Sequence, residues 1–155
     1  MSSVVDFLPH RPPMRLVEEI TDVVPGESAR GIRVAHPDDW FFQGHFPGDP
    51  VVPAVVLVEL LAQAGGIAAA SGRVQANGGR MWRIAALGPF KFPGTARPHQ
   101  ILEAHARVLG RIGGVIKIEG EVLADGLRVA VGSVTLADVG DRSHVSDVHT
   151  DGRVD

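Results

Sequence analysis

The sequence predicts a single α+β domain in which a curved antiparallel sheet wraps one long apolar helix. Three observations lead there. From Ala54 to about Ser71 there is no proline and only one ionisable side chain, Glu59, which predicts a helix of roughly 17 residues, about 26 Å long. Further on, Leu102, Ala104, Ala106 and Val108 alternate with polar neighbours, as do Ile116, Ile118 and Val122; alternation of this kind marks strands with one buried face. Gly110 to Gly114 and Asp125-Gly126 then supply turn signals between adjacent strands, the second a strong hairpin signal. A helix that is apolar all round must be covered all round, and half-buried strands have one apolar face to offer, so the sheet curves around the helix.

In chain order, Leu8-Pro9-His10-Arg11-Pro12-Pro13 is an extended, proline-stiffened lead-in. Met14 to Val24 mixes apolar and acidic residues and reads as a short strand, or as a helical turn followed by one. Pro25-Gly26 is a turn, and Ser28 to Ala35 a weakly alternating strand, with Ala29, Gly31 and Arg33 set against Arg30, Ile32 and Val34. Trp40, Phe41 and Phe42 lead into a loop too dense in Gly44, Pro47, Gly48, Pro50 and Pro53 for a helix or central strand, and are expected to pack over it. Pro53 is tolerated in the first helical turn, where its missing N–H would have had no partner. After the helix, Gly72 to Gly79 is a polar connection. Arg80 to Phe92 reads as one long strand bent near Gly88-Pro89, and Leu127 to Leu136 is the last strand. The domain spans 1–138; from Val139 the sequence turns polar without periodicity, and 139–155 is expected to be disordered or loosely attached.

Composition narrows the function. A net charge of −3, no tyrosine and 5% aromatics leave no basic or stacking surface for nucleic acid. The absence of cysteine excludes disulfides, thiolate metal sites and a cysteine nucleophile and fits a reducing compartment. Met1 to Phe7 has neither a basic nor an apolar signal region, so no signal peptide is expected, and the expected location is cytoplasmic. Val51 to Ala70 reaches the length of a membrane span, about 20 residues. Glu59 and Gln63 at mid-depth, Gly65-Gly66, and the alternating segments able to wrap it favour a core helix and no membrane partner.

Glu59 on an apolar helix needs a partner or a proton. Gln63, four residues on, shares its face. His45, 14 residues before Glu59, lies in the loop that runs into the helix. One carboxyl and one imidazole beside a helix N-terminus form a candidate acid/base pair; the plainer alternative is a satisfied core carboxylate and an ordinary loop histidine. The remaining histidines (His10, His36, His99, His105, His144, His149) lack metal-ligand spacing and read as surface or structural, so no metal is expected.

Three blocks, Leu8-Pro9-His10-Arg11, Phe41 to Pro53 with its Gly44-His45-Phe46-Pro47-Gly48 run, and Glu59-Leu60-Leu61-Ala62-Gln63-Ala64, resemble the bacterial 3-hydroxyacyl-(acyl carrier protein) dehydratases of the FabZ type. The likeness extends over roughly Leu8 to Leu136. It implies the hot-dog fold, a homodimer as the minimum unit, often three dimers in a hexamer, and sites whose His and Glu come from different subunits. It implies His45 as catalytic base and Glu59 as acid, with Phe46, Gly48, Pro53, Ala54 and Gln63 at the substrate. It further implies no cofactor beyond the phosphopantetheine thioester that carries the substrate, on acyl carrier protein or coenzyme A. Ala54 stands where the family usually has Gly, but the group required there is a main-chain N–H, which alanine keeps. Pro12 replaces an aromatic, Arg15 an apolar residue, His99 and Gln100 a Gly and an Asp, and the tyrosine that often gates the acyl tunnel is missing.

Dehydration of a 3-hydroxyacyl thioester needs a base for the C2 proton, an acid for the C3 hydroxyl and a donor for the thioester oxygen. Neutral histidine suits the first role, a carboxyl kept protonated by burial the second, and a helix N-terminus the third. The pathway expected is fatty-acid or related acyl-chain synthesis. Two rivals are an acyl-thioesterase on the same scaffold, distinguished by thiol release, and a non-catalytic acyl-carrier-binding subunit, against which the retained His45 and Glu59 argue. An isomerising dehydratase would carry Asp at position 59. Arg80, Arg83, Lys91 and Arg97 either form a basic patch for an acidic acyl carrier protein or are scattered solvated charges.

Overall fold

The computed structural model of the chain describes residues 4–70 and 82–138. Ser71, the 72–79 connection, Arg80, Met81 and the 139–155 tail lie outside the described residues. Among those described, six strands form one antiparallel sheet in the order β1-β2-β4-β5-β6-β3: β1 Glu19–Val24, β2 Ser28–Val34, β3 Trp82–Leu87, β4 Ile101–Ile112, β5 Val115–Ala124 and β6 Leu127–Asp138. The helix, α1, runs from Ala54 to Ala70 and lies against β2, β4, β5 and β6. This is the wrapped-helix arrangement expected.

The helix is covered from two sides. Leu102, Ala104, Ala106, Ile116, Ile118, Val122, Val134 and Leu136 present the buried face of the sheet, while Val5, Leu8, Leu16, Val17, Phe41 and Phe42 belong to the same core. Small residues let the layers close: a Cβ on Gly65 would lie 2.7 Å from Ile118 Cγ2, so only glycine allows this approach of helix to sheet. Leu60, Leu61 and Ile67 are all but inaccessible, and each such side chain contributes about 1.5–3 kcal/mol of apolar burial.

Several elements differ in detail. The strand expected across Arg80–Phe92 ends at Leu87, because Pro89 has no N–H to continue the ladder; Lys91 then pairs back with Val131, each N–H donating at 2.9 Å. The Gly110–Gly114 turn is shorter than expected. β4 runs to Ile112, Gly110 sits at a register shift, and Gly113-Gly114 alone make the reversal. Asp125-Gly126 is the expected tight hairpin, with φ of +46° and +82°. In the 14–24 segment, regular strand begins only at Glu19. Pro53 precedes the helix instead of sitting in its first turn, its carbonyl accepting from Val56 and Leu57 at 3.0 and 3.4 Å. Of the three loop aromatics Phe41 and Phe42 are buried, while Trp40 is half exposed.

His99 and Gln100, both departures from the resembled family, belong to a backbone turn. Gln100 Oε1 accepts from the Arg97 N–H at 2.7 Å, and His99 has φ +74°. A left-handed conformation costs a side-chain-bearing residue about 1–2 kcal/mol, which explains glycine at this point. His99→Gly is therefore expected to stabilise the chain by about 0.5–1 kcal/mol, net of glycine's extra freedom when unfolded. A denaturant midpoint that stays put or falls would contradict this.

Candidate active site

Glu59 projects from α1 into a cleft of about 250 Å³ whose other walls are the lead-in segment (Leu8, Pro9, His10), β3 (Trp82, Arg83, Ile84) and Leu136 of β6. Its side chain is 23% exposed, so it sits on a cleft wall and is not sealed within the core as its apolar helix suggested. Gln63, one turn on and 1% exposed, is fixed by four hydrogen bonds. Its Oε1 accepts from the N–H groups of Leu16 at 2.9 Å and Val17 at 3.3 Å. Its Nε2 donates to the Met14 carbonyl at 2.7 Å and to Glu59 Oε1 at 3.0 Å. The two main-chain donors settle which way the amide faces, so Glu59 Oε1 receives an N–H.

The same Oε1 lies 3.3 Å from His10 Nε2. His10, expected at the surface or in a structural role, instead lines the cleft. No local signal could have paired residues 49 positions apart, although both belong to the blocks that carried the resemblance.

His45 is placed by a different device. Arg33 of β2 is buried; it donates to the Leu16 carbonyl at 3.0 Å, pairs with Asp39 and stands 5.9 Å from the Phe41 ring centroid. Asp39 Oδ2 also accepts from the His36 N–H at 2.9 Å. These contacts seat the short 3-10 turn Trp40–Phe42, from which Gln43-Gly44-His45 emerges. The chain then reverses through Phe46-Pro47-Gly48-Asp49, where Phe46 and Asp49 exchange hydrogen bonds of 3.0 and 3.1 Å. Gly48, at φ +77°, fills the position such a turn reserves for glycine. The turn is braced from outside by Arg97, whose Nη1 donates to Asp49 at 2.7 Å, and by Val52, whose N–H donates to the Ala96 carbonyl at 2.8 Å.

The polarity of the His45 ring follows from its partner. Nδ1 lies 3.0 Å from the Val51 carbonyl oxygen. A carbonyl only accepts, so Nδ1 carries the hydrogen and Nε2 keeps its lone pair. The ring stacks on Phe46, which is 53% exposed. At the head of α1, Ala54 and Val55 are exposed, and their N–H groups precede the first intrahelical donors, Val56 and Leu57; N–H groups at this position suit an anionic oxygen.

Within one chain the expected residues therefore fall into two groups. Glu59 and Gln63 share the cleft with His10. His45, Phe46, Gly48, Pro53 and Ala54 lie along the loop and helix head, and none of them lines that cleft. Of the four expected basic residues, Arg83 lines the cleft and Arg97 is paired with Asp49; Arg80 is outside the described residues, and Lys91 joins the sheet through its backbone.

The chain is similar to known proteins over most of its length. The model of the FabA-like domain family matches residues 8–133. A 3-hydroxyacyl-(acyl-carrier-protein) dehydratase FabZ of Nitratidesulfovibrio vulgaris (strain DSM 19637 / Miyazaki F) is 35% identical over 134 residues, 86% of this chain and 87% of the relative. The FabZ of Ruminiclostridium cellulolyticum is 35% identical over 132 residues, 85% and 92% of the two chains. Among solved structures, the dehydratase heterocomplex ApeI:P of Xenorhabdus doucetiae has a TM-score of 0.76 at 18% identity, covering 89% of this chain and 91% of that one. A mutant of the phenylacetic acid degradation protein PaaI of Thermus thermophilus has a TM-score of 0.58 at 15% identity, covering 78% and 92%. The structural likenesses show the hot-dog fold, and the sequence matches show more: the chain belongs to the FabA-like family, among its FabZ-type 3-hydroxyacyl-(acyl-carrier-protein) dehydratases.

Proposed function

We propose that this chain dehydrates 3-hydroxyacyl thioesters carried by acyl carrier protein to trans-2-enoyl thioesters in fatty-acid or related acyl-chain synthesis, at a site shared between two copies. His45 Nε2 takes the C2 proton. Glu59 protonates the departing C3 hydroxyl, which leaves as water. An N–H at the head of α1, that of Ala54, holds the thioester oxygen as charge builds on it. One observation carries the assignment of roles: each titratable group has one atom tied off, His45 Nδ1 by Val51 and Glu59 Oε1 by Gln63. That leaves one free basic nitrogen and one free carboxyl oxygen, the two atoms a dehydration uses.

A second copy completes the site because His45 does not line its own chain's Glu59 cleft. The surface that supports this is β3, which ends the sheet beside that cleft. Ile84 and Leu87 on it are 37% and 55% exposed, and an apolar, unpaired edge strand invites pairing with another chain. Pairing there would carry a second copy's loop toward the cleft mouth. Arg83, exposed at the same mouth, suits the acidic carrier.

The test is product analysis with a 3-hydroxyacyl thioester on acyl carrier protein, following enoyl absorbance and free thiol together. Enoyl product without thiol is expected. Thiol release without enoyl product would instead identify a thioesterase.

A further inference from the structure

His10 touches Glu59 and is left without a role by the mechanism above. Its backbone is anchored from both sides. Leu8 is buried, and Arg11 Nη1 donates to the carbonyls of both Leu8 and His10 at 2.8 Å. Further on, Met14, Leu16 and Val17 are tied to Gln63. The imidazole is thus delivered to the carboxyl by a segment fastened at each end. Its Nδ1 is buried with no partner among the described residues, and its Nε2 faces an acceptor, Glu59 Oε1, at 3.3 Å. The tautomer with hydrogen on Nε2 is the one that presents a donor to this oxygen.

Resting on the assignment of Glu59 as the acid, we infer that His10 is a positioning residue that directs the acid proton to Glu59 Oε2. Gln63 Nε2–H donates to Oε1 and His10 Nε2 stands 3.3 Å from the same oxygen, so both donors lie on the Oε1 side and a protonated Glu59 carries its hydrogen on Oε2. As Oε2 gives up that hydrogen to the leaving hydroxyl, negative charge spreads onto Oε1, where two donors already stand; such preorganised donors lower the barrier without rearranging. No bond to His10 is made or broken. Among the described residues, the charged groups lining the cleft besides His10 and Glu59 come down to Arg83 of β3; α1 adds Gln63, and β6 the apolar Leu136.

The test uses the full-length protein with His10→Leu, which removes the donor, and His10→Gln, whose amide places an N–H near the position of Nε2. His10→Leu is expected to lower kcat about tenfold or more with little change in KM. His10→Gln should restore kcat, which a residue that only fills space would not require. Absence of the kcat loss in a folded His10→Leu, or failure of a folded His10→Gln to restore it, overturns the inference. Glu59→Gln separates it from the reading beneath: near wild-type turnover in that variant removes Glu59 as acid, whereas an inactive Glu59→Gln beside an unaffected His10→Leu removes only the role of His10.

Discussion

Replacing His45 by alanine is expected to lower hydration of a crotonyl thioester about 10³-fold, the middle of the range for removing a positioned general base. The ring's Nδ1 is fixed on the Val51 carbonyl and its other face lies on Phe46, so the Nε2 lone pair is held in place before substrate arrives. The backbone at this point keeps its own bond, the Val51 N–H donating to the His45 carbonyl at 2.9 Å, and the site is a surface loop. The variant should therefore fold with unchanged thermal stability, and the loss should appear in kcat. A variant within a few-fold of wild type would remove His45 from the chemistry.

The second large effect is on stability. Asp39→Ala is expected to destabilise the chain by about 3–5 kcal/mol, because it leaves the Arg33 guanidinium uncompensated in the core. Both side chains are 10% exposed, so solvent screens them little, and the Phe41 face and the Leu16 carbonyl do not replace a counter-charge. Asp39 also seats the turn that leads to His45, so activity should fall along with the denaturation midpoint. Replacing Arg33 and Asp39 together by apolar residues of similar volume should recover most of the stability, since no buried charge then lacks a partner. A loss below about 1 kcal/mol in Asp39→Ala, the value typical of exposed pairs, would show that the pair is solvated and carries no such load.

Features with a local cause were legible in the sequence. The length and bounds of α1 follow from an uninterrupted apolar stretch after Pro53, the Asp125-Gly126 reversal from residues that tolerate positive φ, and β4 to β6 from strict alternation. What was missed depends on partners distant in sequence. Arg33 sits at an inward position of a weakly alternating strand, and only Asp39, brought round by the loop, makes its burial tolerable. His10 gains its place from Leu8 burying and from Gln63 capturing Met14 to Val17, which no periodicity encodes. The break after Leu87 was half legible: Gly88-Pro89 suggested a bend, but the return of Lys91 to Val131 depends on a strand forty residues later. In the site, the Gly44–Gly48 run and the Glu59–Gln63 spacing announced the parts, and the family supplied the idea that they meet across two chains.

That last idea is tested most directly by mixing two inactive variants. His45→Ala and Glu59→Gln are co-expressed with different tags, and the doubly tagged assembly is isolated and assayed for enoyl formation. If each site draws its imidazole from one chain and its carboxyl from the other, a mixed dimer holds one intact site and one doubly damaged site, and about half the wild-type rate per dimer is expected from this counting of sites. If each site is built within one chain, both sites carry a lesion, and a mixed assembly as inactive as its parents would contradict the shared site.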